Sequence, residues 1–199
     1  DGFDDLMIGA PGVYSNGSSY IVFGRSDFGG GGLLPTIPGT TGDDVLRGTA
    51  AAELMDAGDG NDMLIGRGGA DVFVGGAGVD QIKVPDLNFA SIDGGAGTDI
   101  LHLDGKDLHL DLASLGGKIH GIETICLFGR GDNTLTLTAD SVLDLSDTSN
   151  TLILYGNAGD HVTVQDGGWV DGGVKGFYHS YIHDDAVLLV GANLTIDFG

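Results

Sequence analysis

The sequence predicts an all-β fold, a parallel β-roll or β-solenoid that continues into a metal-free solenoid with a C-terminal β cap. Three observations support this prediction. A nine-residue period of glycines, an acidic residue and an apolar residue runs over residues 39–83 and returns at 94–102. Beyond residue 102, apolar residues alternate in short segments that are mostly eight to ten residues apart and predict short strands, Leu143 and Leu145 among them. Glycine, the residue of tight turns, makes up 38 of 199 residues.

The nonapeptides are the most specific feature of the chain. The four clearest copies share an aspartate in the sixth position and a large apolar residue in the eighth, and they span residues 57–65, 66–74, 75–83 and 94–102. Two weaker copies precede them at 39–47 and 48–56, the second with Glu53 at the aspartate position. Glycines adopt the positive φ of a tight turn, so each copy predicts a turn followed by a very short strand.

The charge of the chain indicates a cation. The sequence has 29 Asp and Glu residues against 8 Lys and Arg, and its formal net charge is −21. Two carboxylates about 4 Å apart repel by about 4 kcal/mol at an effective dielectric constant near 20. Bound divalent cations would remove this repulsion. The acidity also argues against nucleic acids and anionic membrane surfaces as partners, because no basic patch is available to meet phosphates.

Other features exclude several classes of protein. Cys126 is the only cysteine, which excludes an internal disulfide and a cysteine-based zinc site, and its apolar neighbours predict a buried thiol in a strand. No apolar run approaches the length of a membrane-spanning helix, and residue 1 opens no signal peptide. The start at Asp1 is expected to be a cut through a longer polypeptide.

Common catalytic motifs are absent from the sequence. The sequence contains no His-Glu-x-x-His, Gly-x-Ser-x-Gly or phosphate-loop motif, and we predict that the chain is not an enzyme. The tripeptide Arg130-Gly131-Asp132 is interpreted as a structural turn in a region rich in glycine and aspartate. His179 and His183 would share one face of a strand, which favours an exposed polar edge over a transition-metal site.

The pattern Gly-Gly-x-Gly-x-Asp-x-U-x, with U a large apolar residue, resembles the RTX, or hemolysin-type, repeats of secreted calcium-binding proteins. The resemblance covers residues 39–102 and implies a parallel β-roll in which two nonapeptides form one coil. Repeats then stack on their next-but-one neighbours, and each calcium ion lies between two stacked turns. The ten residues 84–93 lack the glycines and are interpreted as a metal-free half-turn that keeps the stack in phase.

In the RTX family the ligands are the sixth-position aspartates of two stacked turns and carbonyl oxygens near them. The resemblance implies three to four calcium ions here. A first site would use Gly58, Gly60, Asp62, Gly75, Ala77 and Asp80. A second would use Thr40, Gly42, Asp44, Ala57, Asp59 and Asp62. A third, on the opposite edge, would use Thr49, Ala51, Glu53, Gly66, Gly68 and Asp71. A fourth would use Gly76, Gly78, Asp80, Gly94, Ala96 and Asp99.

The two ends of the chain carry further resemblances. Residues 1–33 predict two strands, at 6–8 and 20–23, and resemble the last FG-GAP repeat of an integrin-like propeller. That resemblance would place a calcium site at Asp1, the carbonyl of Phe3 and Asp5, with the first half of the loop lying before residue 1. Segments 121–125, 133–138 and 157–169 resemble the C-terminal end of large adhesins secreted by type I machinery. In that family the extreme C-terminus is an export signal.

These observations predict four regions. Residues 1–38 form an FG-GAP-like strand pair and linker, 39–102 the calcium β-roll, 103–165 a calcium-free solenoid, and 166–199 an aromatic-rich cap with the export signal. The predicted function is a non-enzymatic, secreted or cell-surface calcium module that folds outside the cell and supports type I secretion and surface attachment or assembly. Two alternatives remain open. One is a calcium-dependent filament or surface-layer subunit that pairs with other copies through its N-terminal strands, and the other is the secretion module of a hydrolase.

Overall fold

The structure, a computed structural model, describes residues 6–9, 19–22, 34–146 and 148–199, with side chains over the last two ranges. The chain divides into two units, Asp1–Leu34 and Pro35–Gly199. In the first unit, β1 (Leu6–Gly9) and β2 (Ser19–Val22) pair antiparallel. Both strands lie within one residue of their predicted bounds. The FG-GAP-type ligands predicted at Asp1, Phe3 and Asp5 lie outside the described residues.

The second unit begins with stacked coils that each place one short strand in each of two sheets. The strands of the first sheet are β3 (Thr36–Pro38), β5 (Leu54–Asp59), β7 (Val72–Gly78) and β9 (Ser91–Gly97). The strands of the second are β4 (Val45–Arg47), β6 (Met63–Ile65), β8 (Gln81–Val84) and β10 (Ile100–Leu103). Each strand pairs in parallel with the strand one coil further. The predicted stacking of next-but-one repeats is therefore confirmed.

The coil length rises along the stack without a break in register. Equivalent residues are 18 apart at Asp62 and Asp80 and 19 apart at Asp80 and Asp99. The additional residue comes from segment 84–93, and Phe73 still pairs with Ile92 across it. Residues 84–93 keep the stack in phase, as predicted.

The stack continues beyond residue 103 with longer coils, in which equivalent residues are 24 to 27 apart. The next elements are β11 (His109–Asp111), a 3-10 helix (Leu112–Leu115), β12 (Ile119–His120), β13 (Thr124–Cys126), β14 (Thr134–Leu137) and α1 (Ala139–Leu145). The last are β15 (Thr151–Tyr155), β16 (His161–Val164), β17 (Val170–Lys175), β18 (Tyr178–His183), β19 (Ala186–Gly191) and β20 (Thr195–Phe198).

Three sheets carry this unit. The largest contains β4, β6, β8, β10, β13, β15 and β19 in parallel, with β18 and β17 added antiparallel at its end. Strands β3, β5, β7, β9 and β12 form a five-stranded parallel sheet, and β11, β14, β16 and β20 form a four-stranded one. The all-β class and the parallel β-roll or solenoid architecture are confirmed.

One segment was predicted incorrectly. The alternation of Leu143 and Leu145 was taken as a strand, but residues 139–145 form helix α1. Thr138 and Ser141 form a capping box at its start, in which each side chain accepts a hydrogen bond from the backbone N–H of the other residue. The helix buries Val142 and Leu145, which are three residues apart, while Leu143 is 37% exposed.

The core consists of inward-pointing residues from facing strands. The eighth-position residues Leu64, Phe73, Ile82 and Leu101 are all buried, because alternate residues of a strand point to the same side. Burying each such side chain stabilises the fold by about 1.5–3 kcal/mol. The row continues through the longer coils with residues such as Ile125, and Cys126 beside it is buried in β13, as predicted.

Aromatic residues gather near the C-terminal end. Tyr181 lies 4.8 Å from Phe198 between ring centroids, and Trp169 lies 6.4 Å from the same ring. Phe177 was also expected in the cap, but it is 91% exposed at the turn between β17 and β18. Among the described residues, none of the helices has the length and apolar character needed to cross a membrane.

Candidate calcium site

The sixth-position aspartates form a ladder along one edge of the coils. The backbone N–H of Asp44 donates to Oδ1 of Asp62 at 2.7 Å, that of Asp62 to Oδ1 of Asp80 at 2.8 Å, and that of Asp80 to Oδ1 of Asp99 at 2.8 Å. We call this row the carboxylate ladder. The parallel register of the strands places each Oδ1 toward the preceding coil. Every gap between two turns therefore receives at least one carboxylate oxygen.

In three buried aspartates of the ladder, the second carboxylate oxygen has no hydrogen-bond partner among the described residues. Within residues 34–146 and 148–199, no hydrogen-bond donor reaches Oδ2 of Asp62, Asp80 or Asp99. These side chains are 1%, 0% and 0% exposed. A buried charged oxygen without a partner costs several kcal/mol, so the arrangement calls for a cation. Carboxylate oxygens are ligands that calcium prefers.

Glycines let carbonyl oxygens enter the same gaps. Gly76 and Gly78 have φ angles of +106° and +139°, and a Cβ on either would overlap the carbonyl oxygen of Gly58 or Gly60 in the preceding coil. Carbonyls at the second and fourth repeat positions thus face the next coil. The positive φ and the close approach of these carbonyl oxygens explain why the turn has glycine at these positions.

Carbonyls at the first repeat position face the opposite way. A Cβ on Gly75 would meet both the carbonyl oxygen of Gly94, one coil further, and Oδ2 of Asp80. These two oxygens therefore share the gap between the coils. Oδ1 of Asp99 reaches the same gap from the other side, where it accepts the N–H of Asp80. Carboxylates and carbonyls converge there, which is the oxygen set that a hard cation needs.

The electrostatics of the ladder agree with its geometry. Burial first, and then the neighbouring charges of Asp80 and Glu123, raise the pKa of Asp99 to about 7. Burial, with the charge of Asp62, also raises the pKa of Asp80. Without a cation, these carboxylates resist ionisation. A bound divalent cation would favour the ionised form.

The structure brings together the residues predicted for the first, second and fourth sites, in stacked turns. Ala77 at the third position faces back, since its carbonyl accepts the N–H of Gly60 at 2.8 Å. In the outermost turn, Thr40 donates to Oδ2 of Asp44 through its N–H at 2.7 Å and its hydroxyl at 2.8 Å. The second site therefore has one carboxylate oxygen already engaged. That these residues bind calcium remains a prediction.

The predicted third site, on the opposite edge, differs in its acidic residue. Both oxygens of the buried Glu53 accept hydrogen bonds from Thr49, through its N–H and its hydroxyl, and these bonds lower the pKa of Glu53. Asp71 accepts the N–H of Glu53 at 2.9 Å, and burial raises its pKa. Glu53 is thus satisfied by its own turn, so this gap has a weaker need for a cation.

In the longer coils, the side chains at positions equivalent to the ladder aspartates form hydrogen bonds within the protein in place of contacts with a metal ion. Oδ1 of Asn133 accepts the N–H of Leu108 at 2.8 Å, and its Nδ2 donates to the carbonyl of Leu127 at 3.0 Å. Asp160 accepts from the N–H groups of Asn133 and Asn157 at 2.9 and 2.6 Å. Both side chains are buried with every rung oxygen in a hydrogen bond. At these positions an amide group or a second backbone N–H provides the partner that a cation would provide in the β-roll.

One ladder residue was missed in the sequence. Oε2 of Glu123 accepts the N–H of Asp99 at 2.8 Å, so Glu123 is the rung that follows Asp99. The signal was present in the triplet Glu123-Thr124-Ile125, in which an acidic residue, a spacer and a buried apolar residue repeat the end of the nonapeptide. The missing glycines and the 24-residue coil hid it.

Other candidate groups do not form metal centres. Among residues 34–146 and 148–199, no three His, Cys, Asp or Glu side chains gather around one point, so a cation in the ladder would depend on carbonyl oxygens for several ligands. His179 of β18 forms a hydrogen bond with Asp171 of β17, the edge strand of the largest sheet. The Arg130-Gly131-Asp132 tripeptide is a turn, in which the N–H of Asp132 donates to Asp107 at 3.1 Å.

Comparison with protein families decides the nature of the repeats. The family model of the RTX calcium-binding nonapeptide repeat matches residues 36–64, 47–82 and 91–105, in four copies. The chain carries RTX calcium-binding repeats. The matched RTX segments coincide with β3 to β10, where the aspartate oxygens that have no hydrogen-bond donor among the described residues lie. Glu123 and its turn lie outside them. No curated protein matches the chain.

Proposed function

We propose that this chain is a non-enzymatic RTX module whose coils fold when they bind calcium outside the cell. The observation that carries the proposal is the set of buried Oδ2 atoms on Asp62, Asp80 and Asp99, for which the described part of the chain offers no hydrogen-bond donor. The carbonyl of Gly94 shares a gap with one of them. These oxygens suit calcium, which takes six to eight oxygen ligands.

Calcium would couple folding to location. A ligand that binds only the folded state adds RT ln(1 + [Ca]/Kd) to its stability, about 2.7 kcal/mol per site at a hundredfold excess over Kd. Extracellular calcium modules have Kd values of about 10⁻⁴ to 10⁻³ M, so their sites fill outside the cell. Inside the cell, the chain would keep its repelling carboxylates and remain unfolded. An unfolded chain suits export by type I machinery.

The experiment is circular dichroism of the chain in EDTA and in excess calcium, with magnesium as the matched control. We expect a β-sheet spectrum and protease resistance in calcium, and a largely unfolded chain in EDTA or magnesium. Magnesium demands a smaller octahedral site and keeps its water ligands, so it should not replace calcium. The same β-sheet spectrum in EDTA would overturn the proposal.

Surface attachment or assembly is the remaining part of the proposed function. It rests on the resemblance of the segments after residue 121 to the ends of secreted adhesins. Light scattering during calcium addition separates its two forms. A chain that folds and stays monomeric fits attachment within a larger protein, whereas calcium-dependent polymerisation fits a filament or surface-layer subunit.

A further inference from the structure

The turn that contains Glu123 repeats the ladder geometry one coil beyond the RTX repeats. The N–H of Asp99 donates to Oε2 of Glu123 at 2.8 Å, just as the N–H of Asp80 donates to Oδ1 of Asp99 at 2.8 Å. Glu123 is buried, with 6% of its surface exposed. A second carboxylate therefore enters the gap above residues 94–99.

Carbonyl oxygens enter this gap as they do in the RTX turns. A Cβ on Gly94 would overlap the carbonyl oxygen of Gly121 and lie 2.7 Å from Cβ of Asp99. A Cβ on Gly121 would in turn lie 2.5 Å from the backbone nitrogen and 3.1 Å from the carbonyl oxygen of Gly95. One carbonyl thus faces back from the Glu123 turn, and one faces forward from the preceding turn. A pair of carbonyls facing each other also occurs in the gap between residues 75–80 and 94–99.

The gap also contains a carboxylate oxygen in need of a partner. Oδ2 of Asp99 is buried and receives no hydrogen bond from any described residue. Oε1 of Glu123 has only the hydroxyl of Thr148 at 3.5 Å, the outer limit of a hydrogen bond. Within the described part of the chain, neither carboxylate forms a salt bridge with a basic side chain.

We propose that Asp99, Glu123 and the carbonyls of Gly95 and Gly121 form a further calcium site, outside the nonapeptide repeats. This inference rests on the proposed function, because it extends the same ladder by one coil. A glutamate can bind calcium through both oxygens, and water completes the six to eight ligands in many calcium sites. The longer side chain of glutamate carries a carboxylate to the rung in a turn that lacks the RTX glycines.

This site would connect calcium binding to the metal-free solenoid. Beside Glu123, the N–H of Ile122 donates to the carbonyl of Leu145, the last residue of α1, at 3.0 Å. The carbonyl of Glu123 accepts the N–H of Ile153 in β15 at 2.9 Å. Ordering the Glu123 turn therefore orders contacts with two elements of the next coil. Folding that begins in the RTX coils can propagate from here.

The test is the number of calcium ions bound, measured by equilibrium dialysis and isothermal titration calorimetry on the intact chain. We expect Glu123→Gln to bind one calcium ion fewer than the wild type and to keep its other sites. The matched control is Asp160→Asn, which makes the same chemical change at a buried rung. Both oxygens of Asp160 already accept backbone hydrogen bonds, so this variant should bind the wild-type number of ions.

The outcomes separate this inference from the proposed function. If the wild type binds no calcium, the proposed function itself is wrong. If the wild type binds calcium and Glu123→Gln binds as many ions with the same affinities, only the additional site is wrong. Should Glu123→Gln fail to fold in calcium, Glu123→Asp decides, because it keeps the charge. It is expected to bind the wild-type number of ions with one weakened site, and unchanged affinity at every site would overturn the inference.

Discussion

The substitution Asp80→Asn should weaken the response of the chain to calcium. Asp80 lies in the middle of the carboxylate ladder, where one oxygen accepts the N–H of Asp62 and the other shares a gap with the carbonyl oxygen of Gly94. A carboxamide keeps the oxygen that accepts the N–H of Asp62, and its NH₂ group can donate to the carbonyl of Gly94. Asn133 completes its own rung in this way. The variant loses a charge that calcium would neutralise.

The magnitudes follow from the ladder spacing. Adjacent coils lie about 4.8 Å apart, and two carboxylates at that distance repel by about 3.5 kcal/mol at an effective dielectric constant of about 20. Removing the charge of Asp80 between two such neighbours should stabilise the calcium-free fold by a few kcal/mol. In calcium, the variant loses a ligand in two gaps. At a hundredfold excess of calcium over Kd, this removes up to about 5 kcal/mol of stabilisation.

Circular dichroism in EDTA, which reports the folded fraction, measures the first effect, and urea unfolding in excess calcium measures the second. The control is Asp56→Asn, which removes the same charge from the exposed face of β5, and it should behave like the wild type in both buffers. Asp80→Asn should be more stable than the wild type in EDTA and gain less from calcium. A variant that is less stable in EDTA, yet gains as much from calcium as the wild type, would refute the reasoning.

Three further predictions concern the same unit. In EDTA, the folded fraction should fall as pH rises from about 4 to 7, because Asp99 has a raised pKa of about 7 and the folded chain then holds a proton that the unfolded chain releases; a β-sheet signal in circular dichroism that rises with pH over this window would contradict this. Gly78→Ala should destabilise the fold by roughly 2–3 kcal/mol, since φ is +139° and a Cβ overlaps the carbonyl of Gly60, whereas Gly42→Ala places its methyl group in open space and should be nearly neutral in thermal melts. Phe73→Ala should cost about 3–5 kcal/mol in calcium, against roughly 0.5 kcal/mol or less for the exposed Val79→Ala, and equal costs in urea unfolding would place the core elsewhere.

The β-roll could be predicted because each nonapeptide specifies its own turn and strand. Each nonapeptide contains the glycines that reverse the chain and the apolar residue that enters the core. Phe73 and Ile82 are buried for this reason alone. Stacking then required only that two repeats make one coil. The in-phase segment 84–93 was also predictable, since ten residues replace nine without displacing Ile92 from Phe73.

The longer coils could be predicted only in outline, because their turns are not encoded by a repeated motif. Helix α1 was mistaken for a strand because Leu143 and Leu145 are two residues apart, while the capping box of Thr138 and Ser141 decides the local structure. Glu123 was overlooked because its function depends on register with Asp99, which lies 24 residues earlier. Contacts across such a distance follow from coil length, and one sequence does not show it.

The sequence also could not show which carboxylate oxygens of the site have hydrogen-bond partners. Glu53 was grouped with the ladder aspartates, but Thr49 supplies hydrogen bonds to both of its oxygens. Asp80 has the same charge and similar burial, and its Oδ2 lies without a donor among the residues described. Charge and spacing are therefore not sufficient to rank the sites. The ranking depends on which oxygen atoms the protein itself leaves without a partner.

The central claim is that calcium binds the buried aspartate oxygens between the stacked turns, which have no hydrogen-bond donor among the described residues. A crystal structure of the chain grown in calcium tests it most directly, with anomalous scattering to identify the ion. We predict an ion about 2.3–2.6 Å from Oδ2 of Asp80 and from the carbonyl oxygen of Gly94, with further ligands from the same two turns. A folded chain in which this gap contains only water, or a basic side chain paired with Asp80, would contradict the claim.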